Sequence, residues 1–203
     1  MTKRYLPYLC MLYMGLTWGL SFSLAKYSIE LGGRPLSISF WTALISGCLL
    51  LAYCLVTKRR FVVTWRLLSM IGILSLLGSV LPGLGFYYTT AHLPAGILSI
   101  TIALVPIFTY GMALLFNLEG FSRKRSLGLV LGFSSICVII LPETSLPAKG
   151  VKIWFGVACL SSFLYATGNI YLAQRTFHAI HPIRLCCAMN LMAAFILFWP
   201  ACF

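Results

Sequence analysis

The sequence predicts an all-α, polytopic integral membrane protein of about seven transmembrane helices, built as a five-helix unit plus two helices of an inverted repeat. Three observations predict it. Of 203 residues, 61% are hydrophobic and 9% charged, against about 45–50% and about 25% in soluble domains. Charge-free stretches of about 20 residues, the length that crosses a bilayer core, recur along the chain. The Lys and Arg residues fall mostly between these stretches. A water-covered surface needs more charge than this chain has, which excludes a soluble globular domain. The hydrophobicity excludes a disordered chain.

Seven spans are predicted in order: Tyr5–Ile29, Ser37–Val56, Leu67–Thr90, Ala95–Leu118, Ser126–Leu141, Ile153–Leu172 and Ile183–Phe203. Lys3 and Arg4 before an apolar run resemble a signal peptide, but that run exceeds the usual h-region of about 7–15 residues and lacks an A-x-A site. A retained first span is therefore expected. Leu31-Gly-Gly-Arg-Pro35 carries breaker residues after span one, and Ala91-His-Leu-Pro94 is so short that spans three and four must form an antiparallel hairpin. Span five is only about 24 Å long, which thins the bilayer or places it inside a bundle. Leu141-Pro-Glu-Thr-Ser-Leu-Pro147 is the candidate boundary between units. Residues 1–141 form the first unit, 142–150 a linker and 151–203 a partial second unit.

The net charge is +12, with Glu30, Glu119 and Glu143 the only acids. No aromatic-basic groove pattern accompanies the cations, so they are read as anchors beside anionic lipid and no nucleic-acid partner is expected. With the N-terminus inside, Lys3, Arg4, Lys58, Arg59, Arg60, Arg66, Arg123, Lys124, Arg125, Arg175 and Arg184 share the inner side. Lys26, Arg34, Lys149 and Lys152 share the outer one. This positive-inside bias places the chain as a multi-pass protein of the cell (inner) membrane, N-terminus cytoplasmic and C-terminus outside. Most of the eight cysteines lie in apolar runs as small hydrophobes, and no CxxC pair occurs. His178, His181, Cys186 and Cys187 cluster near one loop without defined ligand spacing, so no metal site is assigned.

Trp18 precedes Pro35 by the same interval as Tyr165 precedes Pro182, with an offset of 147 residues between the pairs. In both copies an aromatic-small pair (Trp18-Gly19, Tyr165-Ala166) lies within a span, and a Pro opens the next span. Elsewhere identity is weak: Phe22 falls on Asn169 and Trp41 on Ala188. Units of five spans are odd in number, so the second begins on the opposite side as an inverted repeat.

Gly15-Leu-Thr-Trp18-Gly19-Leu-Ser-Phe22 followed by Lys26, Pro35 opening span two, Ala95 to Pro106, Glu119, Ser122-Arg-Lys-Arg125 and Gly128-Leu-Val-Leu-Gly132 occur in that order. Together they resemble the EamA-type drug/metabolite transporter (DMT) superfamily. The resemblance implies ten helices in two inverted five-helix units that export small metabolites. Two departures stand out: Phe40-Trp41-Thr42 occupies the region where the family commonly carries an Arg, and the last three helices are absent.

Within that frame, Pro82 and Pro106 each remove a helix hydrogen bond, freeing the carbonyls of Gly78 and Ile102, with Ser99 and Thr101 just before the second. Broken helices near mid-depth expose backbone to substrate, and packing kinks are the other reading. Trp18 and Phe22 share a helix face, with Lys26 one turn further, and Tyr165 and Asn169 repeat the spacing. These residues, with Asn190, read either as an aromatic wall on a polar cavity or as packing and interhelical hydrogen bonding. Lys26 reads as a snorkelling cation or a substrate contact. Phe86, Tyr87 and Tyr88 read as an aromatic belt or a gate. Glu119 pairs with the turn holding Arg123 and Arg125, as a fixed tie or a gating latch. Gly15-x-x-x-Gly19 and Gly128-x-x-x-Gly132 predict close helix packing.

No mid-membrane acid, Ser-His-Asp, HExxH or phosphate-loop pattern occurs, so no catalytic residue, enzyme activity or cofactor is expected. The leading expectation is transport of a small metabolite by alternating access, as exchanger or facilitator. The alternatives are a truncated, transport-inactive remnant and, further off, a seven-helix receptor. The expected partners are the lipid bilayer and a small-molecule substrate; oligomeric state is left open. Reporter fusions at Pro147 should report the outer side, and a cytoplasmic signal there would break this topology.

Overall fold

The computed structural model describes residues 2–57, 64–140, 151–173, 177 and 180–201. Among them every regular element is helical: α1 (Thr2–Glu30), α2 (Pro35–Val56), α3 (Trp65–Ser75), α4 (Leu81–Thr90), α5 (Ala95–Ile102), α6 (Val105–Leu115), α7 (Arg123–Ile140), α8 (Val151–Leu172) and α9 (Pro182–Ala201). A π-helical turn, Leu76–Val80, joins α3 to α4. The linker 142–150, with Glu143, Pro147 and Lys149, lies outside the described residues, as do Lys58, Arg59, Arg60, Arg175, His178 and Cys202.

Among the described residues six stretches are long and apolar enough to cross a membrane: Tyr5–Glu30, Pro35–Val56, Trp65–Thr90, Gly96–Leu115, Lys152–Leu172 and Pro182–Pro200. The chain is thus a polytopic helical membrane protein. The expected span five is helical as α7 but is not among the six. Its 18 residues open with three cations, leaving an apolar part of about 23 Å against a hydrocarbon core of about 30 Å.

Local chemistry sets the helix ends. After α1, Gly32 adopts φ 92°, with Gly32 N–H donating to Ile29 O (2.9 Å) and Gly33 N–H to Ser28 O (3.0 Å). This is a Schellman motif. Pro35 then opens α2, where its missing N–H has no cost. Asn117, at φ 54°, closes α6 in the same way: Asn117 N–H reaches Leu114 O (3.1 Å) and Leu118 N–H reaches Ala113 O (2.8 Å). In the α4–α5 hairpin, fully buried Leu93 and Leu98 flank Pro94 and pack on Ala158, a hydrophobic staple that sets the entry angle of α5.

Proline shapes two of the spans. Pro82 has no N–H to return to Gly78, and the chain winds one residue wider just before it: Leu81 N–H donates to Leu76 O in the π turn. Before Pro106 the fourth span is broken at Ala103–Leu104, where Ala103 and Leu104 N–H groups bond back three residues to Ile100 O and Thr101 O, both at 3.1 Å.

The third span, α3 to α4, lies at the centre, against α2, α8 and α9. It meets α8 at two points. A Cβ on Gly168 would stand 2.7 Å from Gly78 Cα, and a Cβ on Gly85 would collide with Ser161 Oγ. The two points are seven residues apart on each helix and in opposite order, so the helices run antiparallel and side by side. Ala158, Ser162 and Ala166, each 0% exposed, form the seam of α8 at four-residue spacing. Ser162 Oγ donates across it to Thr101 O (2.8 Å). α9 lies along α2 with Gly47 against Leu191 and with Ala43 in one cluster with Ala193, Ala194 and Leu197. Ser75 Oγ ties α3 to α9 through Met189 O (3.1 Å).

The expected packing of Gly15, Gly19, Gly128 and Gly132 is not found. Among the described residues nothing lies within 4 Å of a Cβ built at any of them, because α1 docks only by its C-terminal half and α7 packs chiefly on the end of α6. The close approaches use Gly47, Gly78, Gly85 and Gly168 instead. Gly168→Ala should therefore destabilise the protein by about 1–3 kcal/mol in detergent unfolding, while Gly19→Ala stays within about 0.5 kcal/mol. Equal effects would refute the assigned crossing.

Candidate functional site

Two helix faces, Ile102 and one ring frame a cavity of about 220 Å³. On α1, Trp18, Ser21, Phe22 and Ala25 recur at helical spacing and line one wall. The opposite wall is the central span, from Gly78 and Ser79 through Pro82 and Gly83 to Phe86, Tyr87 and Thr90. Ile102, just before the break in the fourth span, and Tyr165 of α8 complete the lining. The π turn and Pro82 give this wall its shape, since Gly78 meets Gly168 on one side and faces the cavity on the other.

Trp18 and Tyr165, the positions related by the 147-residue offset, meet with ring centroids 6.4 Å apart and planes tilted by 48°. Phe22 packs on the Leu93–Leu98 cluster, holding α1 against α5. Ser21 and Thr90 hydroxyls donate to Trp18 O (2.6 Å) and Phe86 O (2.7 Å) in their own helices. Their oxygens remain acceptors toward the cavity.

Lys26 stands beside the cavity, next to the lining residues Ala25 and Thr90. Its Nζ donates to Thr90 O (2.9 Å), at the C-terminal end of α4, where carbonyls lack helix partners and the dipole favours a cation. Glu30 Oε1 is 3.9 Å from the same nitrogen. Lys26 thus clamps α1 to the third span.

Four of the candidate residues stand elsewhere. Thr101 is fully buried, its hydroxyl donating to Leu98 O (2.8 Å) and its carbonyl accepting from Ser162; it is a packing contact because α8 covers it. Pro106 is exposed on the far side of the helix break it causes. Asn190 Nδ2 donates to Cys186 O (2.8 Å) in its own helix. Asn169 is half-buried one turn beyond Tyr165, past the cavity lining. At the α6–α7 turn, Glu119 Oε2 accepts from Arg125 Nη1, while Arg123 is exposed. Ser122 N–H donates to Tyr110 Oη (2.9 Å) and braces that turn.

Sequence reasoning passed over Ser21, Ser79 and Thr90, although Ser21 follows Trp18 by three residues and Thr90 follows Phe86 by four. It also passed over His92, whose ring stacks on Trp154 at 3.8 Å and 15°, tying the α4–α5 hairpin to the start of α8. Of the neighbouring aromatics, Phe86 and Tyr87 turn to the cavity and Tyr88 is exposed. A second groove of about 470 Å³, between α2, α3 and α9, is lined by Leu51, Leu68, Ile71, Leu191, Met192 and other apolar groups. It presents hydrocarbon to hydrocarbon and lacks the hydroxyls and rings that would orient a polar guest.

Fold and cavity together define a polytopic helical membrane protein with a small aromatic-lined cavity between spans. Residues 6–141 match the EamA-like transporter family. The match takes in more than half of the chain, and the protein belongs to that family. It is similar to an uncharacterized transporter of Archaeoglobus fulgidus, 24% identical over 157 residues, which is 72% of this chain and 55% of the relative. The chain therefore spans about half the length of that relative. No solved structure matches it.

If the Trp18–Tyr165 contact joins α1 to α8, a double-mutant cycle with Trp18→Leu and Tyr165→Leu should give a coupling of about 0.5–1.5 kcal/mol in detergent unfolding. Strict additivity would show that the rings do not couple the helices.

Proposed function

We propose that the protein takes part in membrane transport of a small metabolite, with the cavity between α1, α4 and α8 as the substrate site and rocking of one unit against the other as the motion. The observation that carries this reading is the pairing of spans. Span one meets span six through Trp18 and Tyr165, and span two lies along span seven. Phe40 stacks near Phe198 at 6.1 Å, and under the 147-residue offset that pair maps onto Leu51 and Cys187, which line one groove together. Such reciprocal contacts are what an inverted repeat would produce.

The first unit runs over 1–141 and the second begins after the linker, with the N-terminus cytoplasmic. The polytopic chain is assigned to the cell membrane from its positive-inside charge. Pro82 and Pro106 supply the points where helices already deviate from regular winding, and a rocking motion would use them as hinges. Glu30 and Glu119 stand at helix ends, so no proton step is assigned to either, and exchange or facilitated diffusion is the proposed mode. The Glu119–Arg125 tie is exposed on both sides and fixes the α6–α7 turn without closing the cavity.

Purified protein in liposomes should release or exchange labelled metabolites from a mixed extract faster than empty liposomes. Trp18→Ala and Tyr165→Ala should lower that flux by about tenfold, a loss of about 1.4 kcal/mol at the barrier. Wild-type liposomes no leakier than empty ones across the extract would overturn the reading.

A further inference from the structure

We propose that the cavity is a site for one aromatic ring carrying an anionic group, with Lys26 as the residue that selects the anion; this rests on the transport reading only in treating the cavity as the substrate site. Size comes first. An apolar cavity of about 150 Å³ holds a benzene, and this one, at about 220 Å³, has room for a ring and a short substituent. Shape follows from the lining. Trp18, Phe22, Phe86, Tyr87 and Tyr165 bring five rings to it. Offset and edge-to-face contacts with such walls favour a planar guest over a flexible chain.

Ring faces also attract cations, so charge decides between the two signs. Among the described residues no carboxylate lines the cavity, and the charges beside it are the Lys26 ammonium and, 3.9 Å from that, the Glu30 carboxylate. That ammonium has three donors, and Thr90 O takes one at 2.9 Å. Glu30 approaches only to 3.9 Å and is 60% exposed, whereas the Lys26 side chain is 27% exposed. The acid is the more exposed of the two and so the more screened by solvent, which leaves the ammonium the stronger charge toward the cavity. Like charge beside a half-buried ammonium is repelled more strongly than in water. Lys26 follows Phe22 by one helical turn, about 6 Å, so a ring among the aromatics would direct a carboxylate on its edge toward Nζ.

The test uses the full chain in lipid nanodiscs with radiolabelled benzoate as the probe, at neutral pH. Unlabelled benzoate should displace it at concentrations about tenfold lower than benzamide, benzylammonium or hexanoate. Lys26→Gln should abolish the preference for benzoate over benzamide, and Lys26→Arg should keep it. Equal competition by benzamide or benzylammonium on the wild-type protein would overturn the anion assignment, whether or not the Lys26 variants fold. Equal competition by hexanoate would overturn the ring assignment, as would the absence of saturable benzoate binding. Saturable benzoate binding with liposomes that move no metabolite would support this site and sink transport. Metabolite flux with no benzoate binding would sink this site and leave transport standing.

Discussion

The backbone contact between Gly78 and Gly168 is the constraint on which the rest of the arrangement depends. Lipid tails are as apolar as leucine, so helices in a bilayer gain nothing by hiding hydrocarbon from one another and associate through close packing and polar ties. Here two glycines remove the side chains from both surfaces, and a Cβ at Gly168 would come within 2.7 Å of its partner's Cα. The approach continues outward through Gly85 and Ser161 and along the seam of Ala158, Ser162 and Ala166. Because Tyr165 lies three residues before Gly168, that approach sets Tyr165 against Trp18. Widen the crossing by one methyl and the ring leaves the wall.

The polar groups are handled consistently around this contact. In hydrocarbon a backbone carbonyl or hydroxyl without a partner is expensive. Ser162 serves the Thr101 carbonyl, Ser75 the Met189 carbonyl and Lys26 the Thr90 carbonyl, each joining two spans. The first two lie where the helices are tightest, and the third lies where α4 ends and its last carbonyls need donors. The interruptions at Pro82 and Pro106 fall beside the cavity or just behind it, so irregular backbone is concentrated where the bundle has an interior.

α1 is only partly committed to the bundle. Its N-terminal half is exposed along its length, and it is held by Trp18, Phe22, Ala25 and Lys26. Those same residues line or border the cavity, so the contacts that fasten the helix are the contacts a guest would meet. The neighbouring wall includes the π turn, the kind of irregular winding that is frequent at functional sites.

Much of the fold was legible in the sequence because its causes are local. Span lengths follow from transfer free energy, the Schellman ends from Gly32 and the hairpin from Pro94. The seam on α8, Ala158, Ser162 and Ala166 at four-residue spacing, and the pair Ala43 and Gly47 were not singled out in the sequence. Gly15 and Gly19 carry the same kind of pattern yet touch nothing, because spacing shows that a backbone can be approached and not what approaches it. The cavity was half legible. Trp18, Phe22 and Tyr165 were named from spacing, Pro82 from its break and Tyr87 from its aromatic cluster, while Thr101, named beside the second break, and Asn169 and Asn190, named as polar groups within spans, stand elsewhere. By itself the sequence determined which segments enter the membrane and where they bend, since each residue's preference for lipid or for helix is its own. Only the tertiary structure decided which small residues meet and which ring faces which helix, since those depend on an approach between segments 90 residues apart.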